Sequence, residues 1–247
     1  MRILYPNLLT ADNAHGTGWD EANPLSNLVM PNLNDAAVST NVTPQLDIDF
    51  GQARTVSGFA IIGHNLGASD SVTLTLATNS AFTSGVLTHP MTLRNSNWSD
   101  GLHYVQYRAF DAVERRYARV SFSGVQNVVL GALWIGDHIQ LTPAARLPFT
   151  VDHDSRDALV ESTLGRVTGD RGTVLRSVTL DFPKSDKATV EEVRKLHYAV
   201  GRVMPFVIVY SDTGGGVAMP MYCRITQFEE SISLPKPEYR LRLQEGR

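Results

Sequence analysis

Several stretches of this chain alternate apolar and polar side chains with a period of two, and no other feature limits the fold as strongly. Gln45-Leu-Asp-Ile-Asp-Phe-Gly, Val72-Thr-Leu-Thr-Leu-Ala, His103-Tyr-Val-Gln-Tyr-Arg-Ala-Phe and Tyr117-Ala-Arg-Val-Ser-Phe-Ser all show it. Successive side chains of a strand point to opposite faces, so each stretch reads as a strand with one face in a core and the other in water. Gly51 closes the first with a turn. Val56–Gly63 is mostly apolar instead, which predicts a strand covered on both faces, and Val128–Ile135 reads as a last apolar strand. Short strands separated by turn residues, with no helical period between them, predict an antiparallel sandwich or barrel. The Asn-, Asp-, Gly- and Pro-rich stretch from Met1 to about Ala37 reads as loops and short edge segments.

The pattern breaks near Leu141-Thr-Pro-Ala-Ala-Arg-Leu-Pro, where two prolines flank residues that sustain neither ladder nor helix. With 247 residues, two domains fit the length, and this break divides them into 1–140 and 141–247. Asp152–Asp157 reads as an exposed charged loop. Strands are predicted at Arg171–Phe182, Phe206–Tyr210, Met221–Glu230 and Tyr239–Gln244. A helix near 187–200 is predicted by Val190, Val193, Leu196 and Val200 at three- and four-residue spacing, with Ser185 or Asp186 as cap and Gly201 as left-handed stop. Glu191 and Glu192 are read as favouring the helix start. The expected fold is mainly β: an N-terminal jelly-roll sandwich and a smaller β-sandwich with one helix.

Composition narrows the function. Hydrophobic residues make up 43% and charged residues 19%, as in a globular chain with a core. The 22 Lys and Arg are scattered and the net charge is −3, so nucleic acid is not an expected partner. No apolar run suggests a signal peptide or a membrane span, which implies a cytoplasm-like milieu. The lone Cys223 lies in a strand pattern and reads as a core residue.

Candidate chemistry is thin. Asp47 and Asp49 share a strand face, either as a cation site or, in the favoured reading, as a solvated surface. His64-Asn65 offers polar groups at a sandwich rim, or a turn device, which is preferred. His138, His153 and His197 lack metal-site spacing, and Gly214-Gly-Gly lacks the lysine of a phosphate loop and reads as a hairpin tip. Trp19, Trp98 and Tyr104 are candidates for stacking on sugar rings, with closure of the core ends as the plainer role of the tryptophans. No catalytic group, metal or cofactor is assigned.

Trp19–Asn27, Leu46-Asp-Ile-Asp-Phe-Gly, Val56-Ser-Gly-Phe-Ala-Ile-Ile-Gly-His-Asn-Leu-Gly, Arg116-Tyr-Ala-Arg-Val-Ser-Phe-Ser-Gly and Leu130-Gly-Ala-Leu-Trp-Ile-Gly together resemble the discoidin branch of galactose-binding-like jelly rolls. The second unit resembles the β-sandwich-plus-helix shared by tail-tube and distal-tail proteins of long-tailed bacteriophages. Arg176-Ser-Val-Thr-Leu-Asp-Phe, Met204-Pro-Phe-Val-Ile-Val, Met221–Ser231 and Tyr239-Arg-Leu-Arg-Leu-Gln-Glu carry that likeness. It implies a non-catalytic virion protein, assembled in the host bacterial cytoplasm, that forms a ring, sixfold by resemblance, at the tail tip or baseplate. Its partners would be other tail proteins and a host surface glycan. Arg240 and Arg242, on one face of the last strand, are the expected assembly contacts. The alternative is a carbohydrate-binding adhesin acting through the jelly roll.

Overall fold

The computed structural model describes residues 1–30, 32–41, 43–93, 105–124, 127–141, 150–155, 158–161, 167–170, 174–182, 187–210, 220–231 and 238–246. The elements are β1 (Arg2–Leu4), β2 (Ala14–Thr17), a 3₁₀ turn (Leu25–Val29), β3 (Ala37–Val38), β4 (Gln45–His64), β5 (Ser71–Ala77), β6 (Leu87–Met91), β7 (Val105–Ser123) and β8 (Val129–Gly136). Then come β9 (His138–Gln140), β10 (Thr150–Ser155), β11 (Ala158–Glu161), β12 (Val167–Asp170), β13 (Val174–Phe182), α1 (Lys187–Val200), β14 (Phe206–Val209), β15 (Pro220–Ser231) and β16 (Glu238–Glu245). The protein is mainly β, with one α-helix among the described residues.

The N-terminal sandwich is one antiparallel sheet in the order β3-β8-β4-β7-β5-β6, with β2 added on β4. The turn expected at Gly51 does not end a strand. β4 runs on through it, and a bulge between Asp49 and Arg54 absorbs the irregularity, with Gly51 at φ 76°. Of the stretches read as two strands at 103–110 and 117–123, residues 105–110 and 117–123 likewise lie in one strand, β7, while 103 and 104 fall outside the described residues. Each long strand changes partners along its length. The first part of β4 pairs with β2 and the end of β7, while its second part pairs with β8 and the start of β7. Pro90 lies in β6, an edge strand where a missing amide is tolerated.

The second sheet has the order β10-β13-β16-β15-β14-β1-β9. β1, read from sequence as part of a loop-and-edge region, is an interior strand: Ile3 faces Ile208 on one side and Ile139 on the other. Three residues are too few to show a period, and their partner β14 comes from the far end of the chain. Residues 152–155 of the charged loop expected at Asp152–Asp157 lie in β10 instead, and 156–157 fall outside the described residues. The exposed Asp152 of β10 suits an edge strand, where charge discourages stray pairing. α1 has the expected bounds and buries Val190, Val193, Leu196 and Val200. It ends on Gly201, at φ 56°, whose amide donates to His197 O. Glu191 and Glu192 lie beyond the first turn, which holds no acidic residue, and Glu192 pairs instead with Lys195 at 2.8 Å. The expected caps Ser185 and Asp186 fall outside the described residues.

The two apolar strands explain how the sheets join. Phe59 and Ile61 of β4, with Leu133 and Ile135 of β8, enter the sandwich core. Their neighbours Ala60, Ile62, Ala132 and Trp134 face the other way, into a core shared with Ile3, Leu4, Val178 and the buried stripe of α1. The second face of the sandwich strands is therefore covered by the C-terminal elements. A cut at 140/141 would divide this shared core, because β1 and β9 of the first 140 residues belong to the second sheet in space. Residues 142–149 are outside the described residues.

Candidate functional site

The outer surface of the sandwich has two unlike halves. Where β4 and β8 cover the C-terminal elements it is apolar. On the opposite layer, cross-strand partners Asp47↔Arg119, Asp49↔Tyr117, Thr75↔Arg119 and Thr73↔Ser121 place hydroxyl and charged groups on one outward face. The alternating residues Leu46, Ile48, Leu74 and Val120 enter the core beneath.

This polar face is linked by paired side chains. Arg119 donates to both oxygens of Asp47, at 2.6 and 2.7 Å, and Arg116 to both of Asp49, at 2.8 and 2.9 Å. The Arg116 bond holds the Asp49 carboxyl below the usual carboxylate range, and the Asp47 bond raises Arg119 in turn. Arg119 also lies 4.2 Å over the ring of Phe82. Phe82 has φ 54°, a left-handed value rare outside glycine. Asn79 holds the surrounding turn, its Oδ1 accepting from the amides of Thr83 and Ser84 at 3.0 Å. The result is a platform of fixed donors and acceptors flanked by an aromatic ring. Such a surface can hydrogen-bond a polyhydroxylated ligand with little loss of side-chain entropy.

A second polar constellation lies at the junction. Ser57 Oγ donates to Asp137 Oδ1 at 2.5 Å and meets His138 Nδ1 at 2.5 Å, while Tyr107 OH meets His138 Nε2. One consistent order of protons satisfies the chain: Tyr107 donates to Nε2, Nδ1–H donates to Ser57, and Ser57 donates to Asp137. The carboxylate orients the serine and not the imidazole, the reverse of a nucleophilic triad, so the cluster works as a rivet between β4, β7 and β9. Beside the junction is an apolar cavity of about 350 Å³, lined in part by Tyr5, Leu28, Trp134, Val200, Met204 and Tyr222. Met30, Val203 and Met204, near its rim in sequence, are exposed.

The residues singled out by sequence fall as follows. Asp47 and Asp49 are taken up by arginines. His64 Nδ1 accepts from Leu66 N at 3.2 Å, and Asn65 bonds Asn127 O and Val129 N, so this pair builds the turn after β4. Trp19 donates to Gln45 O at 3.0 Å and meets Phe122 edge-on at 6.1 Å, closing one end of the core. Trp98, Tyr104 and Gly214–Gly216 lie outside the described residues. His197 packs on Phe228, His153 lies in β10, and no three His, Cys, Asp or Glu among the described residues are placed to hold a metal. Cys223 is buried, which pushes its thiol up. Arg240 and Arg242 do share an exposed face, but β16 is an interior strand, and Arg240 is 2.5 Å from Asp181. Sequence reasoning noticed Asp47 and Asp49 but missed Arg116, Arg119 and Phe82. The alternation that put Asp47 and Arg119 on outward faces was visible, whereas their pairing depends on which strands meet.

No known protein family and no curated protein matches this sequence. Among solved structures, chitosan-binding module 1 of a Paenibacillus sp. IK-5 chitosanase/glucanase aligns with 54% of this chain and 100% of its own, at 14% identity and a TM-score of 0.44. The Streptococcus pneumoniae fucose-binding module SpX-3 aligns with 54% of this chain and 98% of its own, at 12% identity and a TM-score of 0.42. The lectin domain of lectinolysin, complexed with Lewis b antigen, aligns with 53% of this chain and 95% of its own, at 13% identity and a TM-score of 0.42.

Proposed function

We propose that the chain is a non-catalytic attachment protein whose N-terminal sandwich binds carbohydrate and whose C-terminal elements hold that sandwich in a larger assembly. One observation carries the reading. The sandwich has an apolar outer layer sealed by the C-terminal sheet and helix, and an opposite outer layer that is polar, ion-paired and exposed. The first is a fixed mount and the second a presenting surface. A flat array of locked carboxylate, guanidinium and hydroxyl groups suits a ligand that offers many hydroxyls and few apolar faces. A glycan array probed with the intact protein is the test. Binding that is weakened by Arg119→Ala, with folding retained, supports the reading, and an array without any bound glycan rejects it.

For the assembly itself, the resemblance of residues 146–247 to distal-tail proteins supports a ring at the tail tip or baseplate of a long-tailed bacteriophage. The exposed apolar side chains Tyr198, Val203 and Met204 at the end of α1 favour a contact with another protein there. The second sheet also ends in the edge strand β9, on which copies can pair. Mass in solution and electron microscopy of the purified protein test this: rings support it, and a monomer both in solution and in the virion rejects it.

A further inference from the structure

We infer that Arg54 and Arg115 form an oxyanion site on the sandwich and, resting on the carbohydrate reading above, that it takes the carboxylate or sulfate ester of an acidic polysaccharide. The two arginines are register partners across β4 and β7, so their Cβ atoms stand about 5 Å apart on the same face. Like charges set directly opposite each other repel. The arrangement is produced by the bulge between Asp49 and Arg54, which shifts the register just before the pair. Bulges re-aim side chains in this way. Gly51 within the bulge has open space around it, and Gln52, Ala53 and Arg54 are all exposed.

The surrounding acids do not relieve the pair. Asp47 and Asp49 are each held by two hydrogen bonds from Arg119 and Arg116. Glu114 precedes Arg115 on the strand, so its side chain leaves from the other face. Among the described residues neither Arg54 nor Arg115 has an ion-pair partner; Arg54 Nη1 and Nη2 donate instead to the neutral Gln52 side-chain oxygen, both at 3.2 Å. Arg115 is nevertheless fixed: Nε donates to Gly85 O and Nη1 to Glu114 O, both at 2.7 Å, which leaves Nη2 for a ligand. An oxyanion bridging Arg115 Nη2 and the Arg54 guanidinium gains charge-assisted bonds and cancels the repulsion, which a neutral hydroxyl does not do.

The test is calorimetric titration of the full chain with an oligogalacturonate, a sulfated oligosaccharide, an uncharged oligogalactoside and inorganic sulfate. The acidic oligosaccharides should bind about tenfold tighter than the neutral one, with the advantage shrinking as salt rises. Arg54→Gln with Arg115→Gln should abolish that advantage, with an unchanged circular dichroism spectrum showing that the fold is kept. Neutral and acidic sugars bound equally, or a preference that survives the double variant, overturns the site and leaves the carbohydrate reading standing. Sulfate bound at the pair with no oligosaccharide bound overturns the carbohydrate reading and, with it, the ligand named here.

Discussion

Glu245 offers the most demanding check on the C-terminal core. Its side chain is 1% exposed and sits against Arg176, 9% exposed, joining the ends of β16 and β13. The carboxylate accepts from Arg176 Nη2 at 2.5 Å, from Nε at 3.2 Å and from the Arg176 amide at 3.2 Å. Burial pulls the guanidinium's hold on its proton down, and the Glu245 bond and charge more than restore it. In Glu245→Ala the arginine stays charged and buried with these acceptors gone, a change that typically costs about 3–5 kcal/mol. Glu245→Gln keeps the shape and one acceptor but loses the charge, so it should cost roughly half as much. Arg176→Met with Glu245→Leu removes both charges and should recover most of the loss, since well-packed apolar replacements of buried pairs are often neutral or better. Urea unfolding followed by tryptophan fluorescence and circular dichroism reads all three, with the midpoint moving and the slope unchanged. A loss below about 1 kcal/mol for Glu245→Ala, or a double variant no better than the single one, would refute the reasoning from burial.

Other outcomes follow from the same structure. His64 is buried, which lowers it from 6.5 to about 4; the unfolded chain therefore takes up its proton first, and this contribution is whole above pH 6.5. It should be lost progressively as pH falls from 6.5 to 4, by up to about 3 kcal/mol, and His64→Asn should flatten that part of the stability–pH curve. Ile3→Ala or Leu4→Ala should each cost about 2–5 kcal/mol, because both side chains are fully buried in the shared core; a loss confined to one half of the molecule, seen as two unfolding transitions, would argue against a single core. Arg240→Glu with Arg242→Glu should leave each subunit folded, since both are exposed, and should weaken ring assembly in sedimentation; normal rings at raised salt would remove these residues from the interface.

What was legible in sequence is what neighbouring residues decide together. The stripe Val190, Val193, Leu196 and Val200, with Gly201 behind it, is a property of one helix, and α1 has the expected bounds. Alternation in Gln45–Phe50 and Tyr239–Gln244 showed which side chains face inward, because the pleat of a strand is local. The apolar run at Val56–Gly63 even announced that something covers its second face. What covers it is a matter of tertiary structure: the partner elements lie far along the chain, and nothing within a strand names them. For the same reason β1 looked like part of a loop, its short pattern becoming a strand only between β14 and β9. At the site, Asp47 was visible as an outward carboxylate, but its neutralisation by Arg119 required β4 and β7 to meet in one register. The bulge that sets Arg54 against Arg115 is likewise decided by the strand pairing. Periodicity orients a side chain relative to its own backbone, and only long-range pairing determines which other side chain it meets.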